Sequence, residues 1–169
     1  TIHAYTSDQA LLDRHHSDLR RARSAQFSII PTKTGAANAI GQVLKHLDGK
    51  LQGYALRVPT ANVSALEVQL TLENAIDREK LIEHLINSAK QSPVLDITTE
   101  PLVSIDFNQN PASCIIDLSY LQCTDNTVKI LAWYDNEWAY AARMLDTAQR
   151  LYQSQHAPNP QHDLIHASH

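Results

Sequence analysis

Several segments with the pattern of β-strands follow one another along this chain without a helical pattern between them. Residues 54–58 form a short run of β-prone side chains. Within 63–72, Val68, Leu70 and Leu72 alternate with polar residues, which is the period of a half-buried strand. After one helical segment, three further strands are predicted to follow one another at 102–107, 113–118 and 128–134. Because parallel strands need long crossovers, this succession predicts an α+β domain with a mixed, mainly antiparallel sheet and helices on one face.

Helical periodicity occurs in three other parts of the chain. Apolar residues recur at helical spacing in the predicted helices, which are 34–47, 77–92 and 136–153. Two more strands are predicted at 1–6 and 27–30. The polar and basic stretch 7–25 has no clean period, and an irregular segment of this length is usually functional.

The chain is predicted to form one domain followed by a tail. Its 169 residues are an ordinary size for a single domain, predicted here at 1–153. Residues 154–169 hold two prolines, four histidines and few apolar groups, so a flexible tail is expected. Those histidines have no acidic or cysteine partners, and no metal site is predicted. The side chains expected in core packing include Trp133, Trp138 and Leu145.

Composition excludes several classes of function. No apolar run approaches the roughly 18 to 20 residues that a membrane-spanning helix requires. The formal net charge of -4 argues against a general nucleic-acid binder. The four glycines, at 35, 41, 49 and 53, cannot form a G-x-G-x-x-G or P-loop motif, so the chain has no dinucleotide-binding motif of its own.

The cysteines and the first residue lead to an expectation about compartment and context. Cys114 and Cys123 are too few for a disulfide scaffold, and we expect both to be small buried apolar residues within or beside strands. No secretory leader is visible, so a cytoplasmic location is expected. The chain begins at Thr1, and we expect it to be part of a longer protein.

Two features favour an anionic ligand. Four of the eight arginines, at positions 14, 20, 21 and 23, lie within ten consecutive residues, and guanidinium groups match phosphate geometry. Thr34 and Gly35 open a predicted helix, where free N–H groups and the helix dipole attract an anion. Each feature has a simpler interpretation, a solvated surface and a plain threonine N-cap. Together they make a phosphorylated ligand more credible.

Six ordered motifs carry a resemblance to a known family. They are HAYTSDQ at 3–9, LRRAR at 19–23, PTKTGAA at 31–37, LRVPT at 56–60, EPLVS at 100–104 and WYDNEW at 133–138. In this order they closely resemble the C-terminal catalytic domain of phosphorylating glyceraldehyde-3-phosphate dehydrogenases, over residues 1 to about 152. That family combines this α+β domain with an N-terminal Rossmann domain that binds NAD and a nucleophilic cysteine at the domain junction.

The resemblance implies oxidation of glyceraldehyde 3-phosphate with NAD, and phosphorylation to 1,3-bisphosphoglycerate, by a homotetramer in glycolysis or gluconeogenesis. It implies that His3 is the base that holds the cysteine as thiolate and shuttles the proton. It implies that Asn136 contacts the nicotinamide amide and that Tyr140 packs near the nicotinamide ring. In the family the cysteine precedes the histidine, so the nucleophile and the NAD domain are expected outside this chain. The chain alone is therefore expected to be inactive.

The resemblance also implies two phosphate pockets. The residues that match the substrate-phosphate pocket are Thr6 and Arg57. Those that match the pocket for the attacking inorganic phosphate are Arg21, Thr34 and Gly35. Arg20 and Arg23 flank Arg21 and are alternatives to it at this position.

Two other functions compete with this interpretation. Erythrose-4-phosphate dehydrogenases share the mechanism, but they tend to lose the Tyr-Thr pair kept here at 5–6 and the Thr-Gly pair kept at 34–35. Retention of both pairs favours glyceraldehyde 3-phosphate. The second alternative, from a different class, is a non-catalytic module for anion binding or oligomerisation.

Overall fold

The computed structural model describes residues 1–156 of the chain. The strands are β1 (Ile2–Ala4), β2 (Ile30–Lys33), β3 (Tyr54–Val58), β4 (Ser64–Thr71), β5 (Leu95–Thr98), β6 (Cys114–Thr124) and β7 (Thr127–Tyr134). The α-helices are α1 (Ala36–Val43), α2 (Arg78–Gln91) and α3 (Trp138–His156), and short 3₁₀ turns cover Lys45–Leu47 and Ser104–Phe107. Within the described part of the chain, none of the helices has the length and apolar composition needed to cross a membrane.

All seven strands belong to one sheet, in the order β2-β3-β1-β4-β7-β6-β5. The β1–β3 and β5–β6 pairs are parallel, and the other four neighbouring pairs are antiparallel. The predicted α+β fold with a mixed, mainly antiparallel sheet is therefore confirmed.

Two apolar clusters lie on opposite faces of this sheet, because neighbouring residues of a strand point to opposite sides. Ile116 of β6 belongs to the cluster that α2 covers, and Cys114 and Cys123 pack at its edge, partly buried. Ile115 belongs to the other cluster, where Trp133 stacks on Phe107 with ring centroids 5.3 Å apart. The core assignment of Trp133 is therefore confirmed.

The predicted strand at 102–107 is wrong. Residues 102 and 103 are irregular, and the segment continues into the 3₁₀ turn at Ser104–Phe107. Asp106 stabilises that turn, because its carboxylate accepts a hydrogen bond from the Val103 N–H at 2.8 Å. The strand of this region is β5, seven residues earlier, which pairs in parallel with β6 at the sheet edge.

The predicted strand at 27–30 also needs correction in its bounds. β2 begins at Ile30, so Pro31 lies inside the strand that it was expected to end. The position is tolerated because β2 is an edge strand, where a residue without an N–H need not donate to a neighbour. Residues 7–25 contain no helix or strand, as predicted.

The helices differ from prediction at their ends. α1 is shorter than the predicted 34–47, and α3 extends three residues past 153 to His156. Trp138 and Leu145 on α3 are 49% and 73% exposed, so their assignment to the core is wrong in this chain. The buried residue of α3 is Ala139. Residues 157–169, the rest of the predicted tail, lie outside the described residues.

Candidate functional site

His3 and Arg57 are direct neighbours on the parallel strands β1 and β3, where the register pairs one with the other. Arg57 Nη1 lies 2.6 Å from His3 Nδ1 and donates a hydrogen bond to the Ala4 carbonyl oxygen at 3.2 Å. The two residues are 54 positions apart in sequence, and the parallel pairing alone brings them together. The structure thus unites the predicted base with one predicted phosphate ligand.

The two contacts of His3 Nδ1 belong to different tautomers. A guanidinium group only donates, so Arg57 can bond this nitrogen when it carries no proton. The Ala4 carbonyl oxygen, 2.6 Å from Nδ1, accepts a hydrogen bond when the proton is present. Burial lowers the pKa of His3, and the Arg57 charge adds to this effect, outweighing the opposite effect of the Ala4 carbonyl. The imidazole is therefore neutral at pH 7 and able to accept a proton.

Ser64 and Tyr134 complete this cluster, and neither residue was predicted from the sequence. They face each other in the β4–β7 register, and Tyr134 meets the His3 ring edge-on with centroids 6.2 Å apart. The Ser64 hydroxyl accepts from the Ala4 N–H and donates to Asn136 Oδ1, both at 3.2 Å. One sequence signal could have identified Tyr134, because it lies two residues before Asn136 in the WYDNEW motif.

Burial raises the pKa of Tyr134, and this effect exceeds the opposing effects of the Ser64 hydrogen bond and the Arg57 charge. The phenol therefore remains protonated at neutral pH. A protonated phenol can donate a hydrogen bond, so the side of the cluster next to His3 carries a neutral donor.

Asp135 fixes the polypeptide between Tyr134 and Asn136. Its side chain is completely buried, with 0% exposure. One carboxylate oxygen caps α3 by accepting from the backbone N–H groups of Glu137 (3.0 Å) and Trp138 (2.8 Å). The other oxygen accepts from Asn62 Nδ2 and from the Gln109 N–H, each at 2.8 Å. These are charge-assisted bonds from four donors on three segments of the chain.

Burial by itself raises the pKa of Asp135. The hydrogen bonds from Trp138, Gln109, Glu137 and Asn62 lower it by more than burial raises it, so the net shift of the pKa is downward. The carboxylate is therefore ionised at neutral pH. It holds the positions of both neighbours, Tyr134 and Asn136, without itself being accessible to a ligand.

A strained residue lies next to this anchor. Val63 has a φ of 64° and is buried to 2% exposure. A β-branched side chain in the left-handed region is a genuine outlier that persists only where surrounding packing enforces it. On the two sides of Val63, Asn62 donates a hydrogen bond to Asp135, and Ser64 donates one to Asn136.

Thr6 and Arg21 are brought together by Asp8, which the sequence analysis did not identify as a site residue. The Asp8 carboxylate accepts a hydrogen bond from the Thr6 hydroxyl and pairs with Arg21 Nη1 at 2.6 Å. The Thr6 hydrogen bond and the Arg21 charge lower the pKa of Asp8, against the opposing effect of partial burial. The resemblance placed Thr6 and Arg21 in different phosphate pockets, whereas here one carboxylate links them.

Thr34 and Gly35 stand at the start of α1 as predicted, but Gly35 rather than Thr34 is the N-cap. The Thr34 hydroxyl accepts from the Ala36 N–H at 3.2 Å. A Cβ built on Gly35 would meet no atom within 4 Å, so the helix start is open to a ligand. Of the neighbouring arginines, Arg20 shares a cleft with Thr34, and Arg21 lines the adjoining cleft.

The two residues implied for nicotinamide contact lie in different surroundings. Asn136 is half-buried and bonded to Ser64, within the His3 cluster. Tyr140 lies on the first turn of α3 and is 68% exposed. An apolar cavity of about 450 Å³ lies elsewhere, beside Trp133 and Leu102, and contains none of the predicted site residues. The described residues contain no cluster of potential metal ligands.

Comparison with known proteins gives a consistent result. The family described as "Glyceraldehyde 3-phosphate dehydrogenase, C-terminal domain" matches residues 1–136. "Glyceraldehyde-3-phosphate dehydrogenase, chromosomal" from Cupriavidus necator is 49% identical over 154 residues, covering 89% of this chain and 46% of the relative. Glyceraldehyde-3-phosphate dehydrogenase from Pseudomonas aeruginosa is 51% identical over 154 residues, covering 89% and 45%. Glyceraldehyde-3-phosphate dehydrogenase 2 from Staphylococcus aureus is 48% identical over 152 residues, covering 89% and 44%.

The chain spans less than half the length of each of these relatives. The family match nevertheless covers β1 through β7, and it includes His3, Arg57 and Asn136. The chain therefore belongs to the glyceraldehyde 3-phosphate dehydrogenase C-terminal domain family.

Proposed function

We propose that this chain is the catalytic-domain part of a phosphorylating, NAD-dependent glyceraldehyde-3-phosphate dehydrogenase. The proposed reaction oxidises glyceraldehyde 3-phosphate and joins inorganic phosphate to the product, giving 1,3-bisphosphoglycerate. The observation that carries the proposal is the contact between His3 and Arg57, 2.6 Å from Nδ1 to Nη1. A neutral base beside a phosphate-binding cation suits a substrate that carries an aldehyde and a phosphate.

His3 acts as the general base in this proposal. Its lowered pKa keeps the imidazole neutral, so it accepts the proton of a cysteine thiol supplied from outside this chain. The imidazolium that forms is next to the Arg57 guanidinium, and the repulsion between the two cations favours passing the proton on. Tyr134, a neutral donor, lies against the same ring.

Arg57 and Thr6 are proposed to bind the substrate phosphate, and Arg21, Thr34 and Gly35 the attacking phosphate. Arg57 uses Nη1 toward His3 and Ala4, which leaves N–H groups on its remaining nitrogens for a ligand. Arg21 uses Nη1 toward Asp8 in the same way. Each guanidinium is thus oriented through its Nη1 group by contacts inside the protein before the phosphate arrives.

The residues present also fit the nicotinamide of NAD. Asn136 accepts from Ser64 through Oδ1, which leaves its Nδ2 group to donate to the carboxamide oxygen of that ring. When bound, NAD accepts the hydride of the aldehyde. Asp135 positions Asn136 for this contact through the four hydrogen bonds that fix the backbone at 135.

We further propose that the complete protein is a homotetramer in the cytoplasm, and that the chain alone is inactive because it holds neither a dinucleotide motif nor the nucleophile. The exposure of Trp138, Tyr140 and Leu145 on α3 supports a further partner surface for this domain.

The test is the full-length protein assayed for NADH formation from glyceraldehyde 3-phosphate, phosphate and NAD. His3→Asn is expected to lower turnover by about 10² to 10⁴, the usual value of a general base, with aldehyde binding retained. His46→Asn, an exposed histidine, is the matched control and is expected to retain activity. Activity within threefold of wild type in His3→Asn would contradict the proposed role.

The same assay separates the competing substrate. Erythrose 4-phosphate in place of glyceraldehyde 3-phosphate is expected to give the lower kcat/KM. The opposite order would make this an erythrose-4-phosphate dehydrogenase, and no turnover with either aldehyde would favour a non-catalytic binding module.

A further inference from the structure

One buried hydroxyl group, that of Ser64, lies at the centre of the His3 cluster. Ser64 is the first residue of β4, which stands between β1 and β7 in the sheet. The residue is 1% exposed, so its hydroxyl depends on partners inside the protein rather than on bulk water. The positions of those partners therefore decide where the hydroxyl proton points.

The neighbouring segments supply these partners. The Ala4 N–H donates to Ser64 Oγ, and Ser64 Oγ donates to Asn136 Oδ1, each at 3.2 Å. Because an N–H group only donates, it uses an acceptor position of Ser64 and leaves the hydroxyl proton for the Asn136 oxygen. Tyr134 faces Ser64 in the β4–β7 register, and its protonated phenol can donate to the remaining lone pair of Ser64. Tyr134 thus does not compete for the single proton of this hydroxyl.

This arrangement selects one of the two orientations of the Asn136 amide. Half a turn about the last bond of the side chain exchanges the amide oxygen with the NH₂ group. In the rotated form, Nδ2 would take the place of the oxygen that accepts from Ser64. The buried hydroxyl proton would then lose this acceptor, which is unfavourable. Ser64 therefore favours the form in which the amide oxygen faces the hydroxyl.

We propose that Ser64 is a positioning residue that fixes the amide orientation of Asn136, so that a donor meets the carboxamide oxygen of the nicotinamide. This inference rests on the proposed function, which assigns the nicotinamide contact to Asn136. Asp135 does not set the orientation, because its bonds to the N–H groups of Glu137 and Trp138 fix the backbone and leave the Asn136 amide able to rotate. The hydroxyl of Ser64 supplies the missing constraint.

The first test measures the mobility of the Asn136 amide in this chain, by NMR relaxation of its Nδ2 group. The order parameter is expected to lie above about 0.6 in wild type and to fall below this value, which marks a flexible group, in Ser64→Ala. Thr98→Val is the matched control. It removes another buried hydroxyl of the same sheet, 9% exposed, which accepts from the Glu100 N–H at 3.1 Å on the edge strand β5. The control is expected to leave the Asn136 order parameter unchanged.

The second test follows NADH formation by the full-length protein. Ser64→Ala is expected to raise the KM for NAD about three- to tenfold, the factor that one neutral hydrogen bond supplies. The KM for glyceraldehyde 3-phosphate should change less than twofold. In an Asn136→Ala background, Ser64→Ala should change the KM for NAD less than twofold, because Ser64 acts through that amide. Ser64→Cys, which has only a weak S–H donor, is expected to raise the KM for NAD in the same way and replaces Ser64→Ala if thermal unfolding shows that the latter does not fold.

Three outcomes would overturn this proposal: an Asn136 order parameter that is equal in wild type and Ser64→Ala, equal rises of the KM for NAD in Ser64→Ala and Thr98→Val, or a rise that persists in the Asn136→Ala background. The proposed function is judged separately, by turnover of glyceraldehyde 3-phosphate with NAD in the wild-type protein. Absence of that turnover would contradict the proposed function, whereas the order parameter of Asn136 would still decide the role of Ser64.

Discussion

Replacing Asp135 with asparagine tests how strongly one buried carboxylate holds this site together. The substitution keeps the shape of the side chain but replaces one acceptor oxygen with an NH₂ group. The remaining oxygen can still accept hydrogen bonds from two of the four N–H donors. The other two N–H donors then face the new NH₂ group, which cannot accept from them. A hydrogen bond to a charged group is worth about 1.5–3 kcal/mol. Two lost bonds at a site with 0% exposure therefore predict a loss of about 3–6 kcal/mol.

The assay is urea unfolding of this chain followed by far-UV circular dichroism. For a slope of about 2 kcal/mol per molar urea, the expected loss lowers the midpoint by about 1.5–3 M. Asp77→Asn is the matched control. Asp77 caps α2 through one oxygen, Oδ1, which accepts from the N–H groups of Glu79 and Lys80, and asparagine retains that oxygen. The control is expected to stay within about 0.5 kcal/mol of wild type, since both residues are good N-caps.

The pH dependence of the difference in stability between wild type and Asp135→Asn provides a second measurement. The pKa of Asp135 is lowered in the folded protein, so the unfolded chain binds its proton at higher pH than the folded one. The stabilisation is therefore complete above the unfolded pKa, about 3.9, and is lost as the pH falls through the folded pKa. Wild type and Asp135→Asn should converge in stability in that acid range. A loss at neutral pH equal to that of Asp77→Asn would refute the reasoning.

Two further predictions concern His3 and the core. Arg57→Gln removes the positive charge beside His3, so the pKa of the imidazole should rise, and an NMR titration of its ring protons would measure this rise. The control Arg150→Gln should leave the pKa of His3 unchanged. A pKa of His3 that is also unchanged in Arg57→Gln would contradict the contact between the two residues. Phe107→Ala removes a ring with 3% exposure that stacks on Trp133, with an expected loss of about 3–5 kcal/mol in urea unfolding. Ile105→Ala, at an exposed position of the same 3₁₀ turn, should cost far less, and equal losses would show that the stack does not contribute.

Local sequence signals predicted the elements that local interactions stabilise. The α2 helix begins after Asp77, whose carboxylate caps it, and β4 follows the alternation of Val68 and Leu70. The prediction failed where a side chain competed with the backbone, as at Asp106, which holds a 3₁₀ turn in place of the predicted strand. It also failed for Trp138, because an apolar residue at helical spacing is buried only when another element covers that face of the helix.

The site was predictable to the extent that its residues lie in contiguous motifs. His3, Arg57 and Asn136 were identified one by one, but no sequence pattern shows that β1 pairs in parallel with β3, and that pairing brings the first two together. Ser64 lies in a strand whose period was recognised, yet its contact with Asn136 depends on the position of β4 between β1 and β7. Long-range strand order is set by the burial of whole faces, which a single segment does not encode.

Strand direction explains why the cluster forms at one end of the sheet. β1 and β3 are parallel, so both end at the same edge, with Ala4 and Val58 as their last residues. β4 runs antiparallel to β1, and β7 antiparallel to β4, so the start of β4 and the end of β7 reach that edge too. Four strand ends therefore deliver polar side chains to one place, and the buried Asp135 carboxylate holds the loops that follow them. Any change that shifts the β4–β7 register by one residue would place Ser64 and Tyr134 on opposite faces of the sheet, and it would dismantle the site while leaving every motif of the sequence intact.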